Sequence, residues 1–235
     1  MSSQKVAVVT GASQGLGAAI VDAYRKADYA VVATSRTIAP SDDAGTLTVQ
    51  GDIADPATAE RVISAARERF GRVDTLVNNA GIFVAKPFTE YTLDNYAAVV
   101  GVNLNGFFRI TQLAIEQMLT QGSGHIVNIT TSLVDNADAR VPSVLASLTK
   151  GGLQSATKSL AIEYATRGIR VNAVAPGIIR TPMHPEDTHE TLAALHPVGR
   201  LGEASDVADA VIYLENAPFV TGEIHHVDGG MSAGH

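Results

Sequence analysis

One stretch near the start of the chain constrains the fold more than any other. An apolar, β-branched run from Lys5 to Val9 is followed by three glycines, Gly11, Gly15 and Gly17, and then by a helical pattern of apolar residues. This order predicts a strand, a tight turn and a helix. Gly11 suits a turn that needs positive φ, and the other two glycines let a ligand lie against the backbone. Because a helix N-terminus offers unpaired N–H groups and a positive end, the stretch predicts a pyrophosphate site of a dinucleotide.

Length and composition fit one α/β domain. The chain has 235 residues, of which 46% are hydrophobic and 17% charged, so it can bury a full core. Its formal net charge of −7 argues against nucleic acid or an anionic membrane as a partner, and it has no cysteine for disulfide or thiolate chemistry. We find no leader segment and no apolar run that approaches a membrane span, which predicts a cytoplasmic protein. No linker or repeat interrupts the chain, so a single domain over residues 1–235 is expected.

Strand and helix patterns alternate along the rest of the chain, which predicts an α/β fold. Further strands are expected at 29–34, 47–49, 73–77, 125–129, 170–175 and 223–227. Helices are expected at 57–70, 94–118 and 144–165, and from a cap at Ser205 to residue 214. The helix over 144–165 carries small apolar residues, Ala156, Leu160 and Ala161, that would suit a contact between subunits.

The end of the second predicted strand bears on the choice of cofactor. In a dinucleotide fold this point faces the adenosine ribose, where a carboxylate would bind the 2′-hydroxyl. The chain has Ser35 and Arg36 there and no acidic residue before Asp42. Arg36 can pair with a 2′-phosphate and Ser35 can donate to it, which favours NADP over NAD; the alternative is a solvated surface arginine. Asp52, at the next strand end, either accepts from an adenine amino group or shapes the loop.

Polar residues also follow the later predicted strands. An Asn-Asn-Ala-Gly run occupies 78–81, and hydroxyls occupy 130–132, where the carboxyl end of a central strand faces a ligand crevice. Asn103 interrupts a helical apolar pattern, which indicates either a kink or a satisfied core asparagine. Lys150 lies near the start of the next helix, where, on the pattern alone, a surface lysine is the ordinary interpretation.

The segment 183–200 is predicted to be a mobile lid over the substrate. It holds three histidines, His184, His189 and His196, beside several carboxylates, a composition that also suits a metal site. The spacing fits no familiar ligand pattern, so we favour the lid and expect no metal.

Taken together, these segments resemble the short-chain dehydrogenase/reductase family over nearly the whole chain. Residues 10–17 resemble its Thr-Gly-x-x-x-Gly-x-Gly cofactor loop, and residues 78–81 its Asn-Asn-Ala-Gly motif. Residues 176–181 are similar to its segment under the nicotinamide carboxamide, and residues 220–222 and 227–230 to its closing strand. The resemblance implies a doubly wound parallel sheet of the Rossmann type with helices on both faces, and a dimer or a homotetramer.

The resemblance also implies a nicotinamide cofactor, NADP with NAD as the alternative, held by residues that match the family's contacts. These residues are Gly11, Ser13, Gln14, Gly15, Leu16, Gly17, Ser35, Arg36, Asp52, Ile53, Asn79, Ala80, Gly81, Lys150, Pro176, Gly177, Ile179 and Thr181.

The catalytic part of the resemblance is incomplete. The family's chemistry uses Asn, Ser, Tyr and Lys, and Asn103 and Lys150 match the first and last. The family Ser aligns with Thr131 or Ser132, of which we take Ser132, and this alignment implies a slightly longer connection before the helix that follows. The family Tyr lies four residues before the Lys, a position that is Ala146 in this chain. The residue that would protonate a carbonyl oxygen is therefore missing.

Two functions are consistent with this pattern. The first is an NADP-dependent oxidoreductase that acts on a small carbonyl or alcohol, with a nonstandard proton donor such as a water held by Lys150 and Ser132, or His184 from the lid. The alternative is a catalytically impaired protein of the same fold that binds cofactor or serves as a structural partner. Loss of a general acid costs about 10²–10⁴ in rate, whereas proximity can itself supply about 7–11 kcal/mol, so the missing tyrosine does not by itself exclude an enzyme. The retained Asn103 and Lys150 favour the first function.

Overall fold

The computed structural model describes residues 4–234. Its strands are β1 (Val6–Thr10), β2 (Ala30–Ser35), β3 (Thr46–Gln50), β4 (Thr75–Asn78), β5 (Gly124–Ile129), β6 (Ile169–Pro176) and β7 (Ile224–Val227). Its α-helices are α1 (Gly15–Lys26), α2 (Pro56–Phe70), α3 (Leu93–Val100), α4 (Phe107–Gln121), α5 (Val144–Tyr164), α6 (His189–Ala193) and α7 (Ala204–Glu215). The expected strands are all present, with ends that differ from the predicted ones by one or two residues.

The strands form one seven-stranded sheet in the order β3-β2-β1-β4-β5-β6-β7, with every neighbouring pair parallel. The chain builds outward from β1 to β3 and then returns to place β4 on the other side of β1. This reversal confirms the predicted doubly wound α/β sheet, and it opens a crevice at the carboxyl ends of β1 and β4. The loops after β1, β4, β5 and β6 therefore meet at one edge.

Both faces of the sheet are covered by helices, which explains why β1 and β2 are apolar and buried along almost their whole length. Alternate residues of β1 point to opposite faces: Val6 and Val8 pack in a core with α2, α4 and α5. Ala7 and Val9 pack in a second core with α1 and α7. Ala161 is fully buried in the first of these cores, so the prediction of a subunit contact through that side chain is wrong.

The predicted helix over 94–118 is three segments in sequence. Between α3 and α4 the backbone takes one π-helical stretch, Gly101–Gly106, which contains Asn103. By length and composition alone the run Leu93–Gln121 is long and apolar enough to cross a membrane, with a mean hydropathy of 1.2, although 39% of its most apolar stretch is buried in the protein. The expectation that no apolar run approaches a membrane span is therefore wrong. Its buried residues, such as Ile110 and Met118, pack into the core beneath the sheet.

Helix α7 begins two residues earlier than predicted, and its cap is different. The N-cap is Glu203, whose backbone carbonyl accepts from the N–H of Asp206 (3.0 Å) while the Asp206 carboxylate accepts from the N–H of Glu203 (2.9 Å). Ser205 lies inside the first turn, so its prediction as the cap is wrong.

A buried polar network lies at the opposite edge of the sheet from the crevice. The carboxylate of Glu215, at the end of α7, accepts hydrogen bonds from Tyr24 (3.1 Å), Tyr29 (2.9 Å) and Thr75 (2.8 Å). The Nδ1 atom of His125 lies 2.9 Å from the same carboxylate. These contacts join α1, β4, β5 and α7 around one buried charge.

The network fixes the protonation of His125. The side-chain amide of Asn172 donates to Nε2 of His125, and its oxygen accepts from the N–H of Glu223, so the orientation of the amide is set by its partners. Nε2 must then carry a lone pair, and the proton lies on Nδ1, which donates to Glu215. Burial lowers the pKa of His125, which agrees with a neutral ring.

Candidate active site

The glycine turn after β1 leaves the start of α1 open. Gly11 has a φ of +65°, and a Cβ there would lie 2.9 Å from Cα of Ala80, so only glycine fits between the turn and the loop after β4. The N-cap of α1 is Gln14, which makes no side-chain cap, and no acidic residue occupies the first turn. The first N–H groups and the positive end of the helix are thus available to an anion.

The loop after β4 is joined to this turn by hydrogen bonds. The Asn79 amide donates to the carbonyls of Thr10 (2.8 Å) and Gly11 (3.1 Å), and the Thr10 hydroxyl accepts from the N–H groups of Asn79 and Ala80. Asn78 turns the other way and donates to Asn128 and Thr111. The Asn-Asn pair therefore builds the floor of the crevice, and Ala80 and Gly81 leave that floor flat.

A cavity of about 470 Å³ fills the crevice. It runs from the start of α1 past the loop after β4 to the ends of β5 and β6. The sequence-predicted residues that line it are Gly11, Gln14, Gly15, Leu16, Gly17, Asn79, Ala80, Gly81, Ser132, Lys150, Pro176, Gly177, Ile179 and Thr181. Ser13, Ser35, Arg36, Asp52 and Ile53 lie outside it.

Lys150 is buried, so the surface interpretation of this lysine is wrong. Its Nζ donates to the carbonyl of Ile129, the last residue of β5, over 2.7 Å. A Cβ at Gly81 would lie 3.0 Å from this Nζ, so the ammonium sits against the wall formed by the loop after β4. Burial lowers the pKa of Lys150 to about 8.

Asn103 is the satisfied core asparagine and also marks the irregular stretch of helix. Its Oδ1 accepts from the N–H of Ile82 (2.9 Å), and its Nδ2 donates to the carbonyl of Ile82 (3.1 Å) and to the hydroxyl of Thr149 (3.1 Å). The side chain thereby holds the loop after Gly81 against the residue that precedes Lys150. Asn103 therefore holds in place the loop that borders the crevice, and it does not itself line the large cavity.

Two hydroxyls lie at the end of β5. The Thr131 hydroxyl accepts from the N–H of Leu133, which caps the short 3₁₀ turn Ser132–Val134. The Ser132 hydroxyl is buried and, among the described residues, has no hydrogen-bond partner. A buried hydroxyl without a partner is costly, so Ser132 is suited to a ligand group that enters the cavity.

Ala146 faces the same cavity from the first turn of α5. It lies one helical turn before Lys150, so both residues are on the side of the helix that lines the cavity. No tyrosine is among the described residues that line the cavity. Tyr24 and Tyr29 belong to the network around Glu215 at the far edge of the sheet.

The segment over 183–200 covers part of the cavity through Met183, His184 and Leu192. His184 Nδ1 donates to the carbonyl of Ile179 over 2.9 Å, which ties the segment to the loop after β6. His196 is buried away from the cavity, and its Nε2 accepts from the N–H of Ile178 over 3.0 Å. Within residues 4–234 no cluster of three or more His, Cys, Asp or Glu is arranged to hold a metal ion.

The residues predicted to bind the adenosine end of the cofactor lie at the carboxyl ends of β2 and β3. Arg36 is exposed, and among the described contacts its guanidinium makes no ion pair. Ser35 accepts from the N–H of Thr37. The Asp52 carboxylate accepts from the N–H of Ala54, so it shapes the loop, while the side chain remains exposed. Ile53 is buried against α2 and α4.

Sequence reasoning missed most of the apolar wall of the cavity. That wall includes Ile82, Phe83, Val141, Pro142, Ile178 and Met231. Ile82 and Phe83 directly follow the Asn-Asn-Ala-Gly run and could have been found from that position. Met231 carries no such local signal, because the segment after β7 brings it to the site, where its carbonyl accepts from the Asn136 amide.

Comparisons with known proteins agree with this architecture. A family model described as enoyl-(acyl carrier protein) reductase matches residues 11–232. The chain is 38% identical to cis-4-hydroxycyclohexanecarboxylate dehydrogenase from Sinomonas cyclohexanicum, over 98% of both chains. It superposes on ElxO with NADP bound at a TM-score of 0.91 and 30% identity, covering 98% and 100% of the two chains. It superposes on 3-ketoacyl-(acyl-carrier-protein) reductase from Brucella melitensis complexed with NADH at 0.90 and 32%, covering 97% and 98%.

Proposed function

Because the chain belongs to the short-chain dehydrogenase/reductase family, we propose that it is an NADP-dependent oxidoreductase that works without the family's tyrosine. Its substrate is a small carbonyl compound or the corresponding alcohol. The observation that carries the proposal is one continuous cavity that joins the uncapped start of α1 to the buried amine of Lys150. An oxidised or reduced nicotinamide dinucleotide matches the chemistry along that cavity, with an anion at one end and a polar reaction centre at the other.

The residues present fit such a cofactor. The open N–H groups of α1 would hold the pyrophosphate of the cofactor, and the flat floor at Ala80 and Gly81 would admit the rings of the cofactor. Lys150 would bind the nicotinamide ribose, and Thr181 with Gly177 would contact the carboxamide, as the family resemblance implies. When bound, the cofactor supplies or accepts a hydride. The orphaned Ser132 hydroxyl would orient the substrate oxygen.

Ala146 makes this site unlike the family pattern. We take position 146 as that of the missing phenol, because it lies four residues before Lys150 and faces the cavity. Alanine cannot release a proton, so another group must protonate the substrate oxygen. The relative from Sinomonas acts on a hydroxycyclohexanecarboxylate, which supports a ring alcohol or ketone as the substrate class. The apolar wall formed by Phe83, Val141 and Met231 suits such a ring.

Arg36 should set the preference for NADP. Replacing Arg36 by alanine is expected to weaken NADPH binding by about 1.5–3 kcal/mol, the value of a charge-assisted contact, while NADH binding changes little. Titration calorimetry with both cofactors measures this change. Arg67→Ala, an exposed arginine on α2, is the control and should bind both as the native protein does. Of the solved neighbours, one has NADP bound and another has NADH. Equal affinities of the native protein for NADPH and NADH would contradict the proposed preference for NADP.

We further propose that the protein is a cytoplasmic homo-oligomer, a dimer or a homotetramer. Support comes from large apolar side chains that are exposed on the face made by α3, α4 and α5: Leu93 is 86% exposed, Phe108 65% and Leu148 58%. Large apolar side chains that are exposed on neighbouring helices suit an interface between subunits. Light scattering at micromolar concentration is expected to give a mass of at least two chains. A mass of one chain under these conditions would contradict the assembly.

The second candidate function is a cofactor-binding or structural protein of the same fold. The observation in its favour is the alanine at position 146, which removes the family's acid. The retained Lys150 and Ser132 favour the enzyme, because a scaffold has no evident need for an unpartnered buried hydroxyl. Cofactor binding without hydride transfer to any substrate would favour the second candidate.

A further inference from the structure

The cavity offers few groups that can release a proton. Among the described residues that line it, only Arg140, Lys150 and His184 carry a basic side chain, and none carries a carboxylate. Arginine stays protonated in proteins and cannot act as the acid. Arg140 is in addition paired with Asp138 at the rim, where it is 60% exposed. Among side chains, the choice of proton donor therefore lies between Lys150 and His184 of the segment over 183–200.

Geometry favours the lysine. The Nζ of Lys150 is anchored to the carbonyl of Ile129, directly before the strand-end hydroxyls, and so lies at the same end of β5 as Ser132. Its one described hydrogen bond uses one of three N–H groups. His184, in contrast, has Nδ1 committed to the carbonyl of Ile179 in a segment away from α5.

The small side chain of Ala146 leaves the amine of Lys150 accessible from the cavity. A phenol at position 146 would stand on the same helix face as Lys150, one turn closer to the start of α5, and would enter the cavity that Ser132 also lines. With only a methyl group there, the space beside Ala146 belongs to the cavity. A substrate can therefore bring its oxygen deeper, toward the ammonium.

We propose that Lys150 is itself the proton donor of this enzyme. The inference rests on the proposed function. In carbonyl reduction a hydride from the dihydronicotinamide forms the new C–H bond, and the C=O π pair moves to oxygen. The oxygen takes a proton from Nζ of Lys150, which leaves a neutral amine and an oxidised nicotinamide. Solvent then returns a proton to the amine, and alcohol oxidation is the reverse.

The acidity of the amine is suited to this role. A general acid works best when its pKa lies near the working pH, and burial lowers the pKa of Lys150 to about 8. Desolvation is the one cause of that shift, and the charged or titratable groups that share its cavity are Arg140 and His184. The elements packed around Nζ contribute the neutral Asn103 and Gly81. The reduction rate should therefore fall as pH rises through about 8, because the ammonium form is lost.

A double-mutant cycle separates proton donation from binding of the ribose. Single-turnover NADPH oxidation is measured at saturating cofactor for the native protein, Lys150→Met, Ala146→Tyr and the double variant. If Lys150 is the donor, Lys150→Met should slow the native protein by about 10²–10⁴-fold. The loss should be at least tenfold smaller in the Ala146→Tyr background, where a phenol can act as the acid. Lys158→Met, on the exposed side of the same helix, is the control.

A second measurement does not depend on activity. Lysine side-chain NMR of the protein without cofactor should show one amine that titrates near pH 8 and that disappears in Lys150→Met. Lys150→Arg should keep the fold, shown by an unchanged thermal transition, and should lose the limb of the pH–rate profile near pH 8.

Several results would overturn the inference. Equal losses in the two backgrounds would reduce Lys150 to a cofactor-binding residue, and a 10²-fold loss in His184→Gln would make the histidine the donor. The inference would also be contradicted if the amine whose signal disappears in Lys150→Met titrates above pH 10. If every variant binds NADPH and none turns over a carbonyl, the proposed function itself fails and the inference fails with it.

Discussion

Replacing Ala146 by tyrosine is expected to speed carbonyl reduction by about 10- to 100-fold, within the range that general acid catalysis supplies. The new phenol would stand one helical turn from the ammonium of Lys150, and a neighbouring positive charge lowers the pKa of a phenol. Acid catalysis is worth up to about 10⁴ in total, and Lys150 already provides part of it in the native protein. The rate gain from the new phenol is therefore smaller than the full factor of about 10⁴ that acid catalysis can supply.

Ala146→Phe is the matched control, because it fills the same space without a hydroxyl. Single-turnover NADPH oxidation at one pH with the same substrates compares the three proteins. The phenylalanine variant should show no gain, and an equal gain in both variants would contradict acid catalysis as the cause. A tyrosine variant slower than the native protein would contradict the prediction as well, and would indicate that substrate occupies the space at position 146.

Replacing Glu215 by alanine is expected to lower the free energy of unfolding by about 3–5 kcal/mol, because each buried donor left without an acceptor costs about 1–3 kcal/mol. The hydroxyls of Tyr24, Tyr29 and Thr75 and the Nδ1–H of His125 would lose their shared acceptor. Urea denaturation at pH 7 measures the loss. Glu60→Ala, which breaks an exposed pair with Arg109, is the control and should change stability by at most about 1 kcal/mol.

The same network predicts how stability depends on pH. Burial lowers the pKa of His125 in the folded state, and hydrogen bonds from its neighbours outweigh burial to hold the pKa of Glu215 below its usual range. Both groups then bind protons more weakly when folded than when unfolded. Their contribution is complete above pH 6.5, the ordinary value for histidine, and is lost as pH falls through the folded values. Urea midpoints that rise as the pH falls from 7 to 4 would contradict this account.

The fold could be predicted because strands such as β1 and β2 are buried on both faces, and such strands are apolar runs that the sequence displays directly. The β1 run and the glycine turn gave the start of the sheet, and the polar residues after later strands gave the crevice. The ends of the strands were harder to predict: β3 spans Thr46–Gln50 rather than 47–49, because its polar end residues carry no apolar signal.

Three features were beyond sequence patterns for physical reasons. The burial of Lys150 follows from its place under the loop after β4, and a helical pattern alone does not distinguish it from a surface lysine. The Glu215 network joins residues from four elements, none adjacent in the chain. The sequence pattern does not distinguish an interface from a tightly packed core at Ala161, because small apolar residues occur in both.

The most direct test of the central claim is single-turnover oxidation of NADPH by the native protein. The protein is held in excess over NADPH and mixed with ketones, quinones and acyl thioesters, including a cyclohexanone carboxylate. The account predicts that at least one of these substrates is reduced with one NADPH consumed per product formed. Tight binding of NADPH with no oxidation by any of them would contradict an oxidoreductase and leave the cofactor-binding protein as the better account.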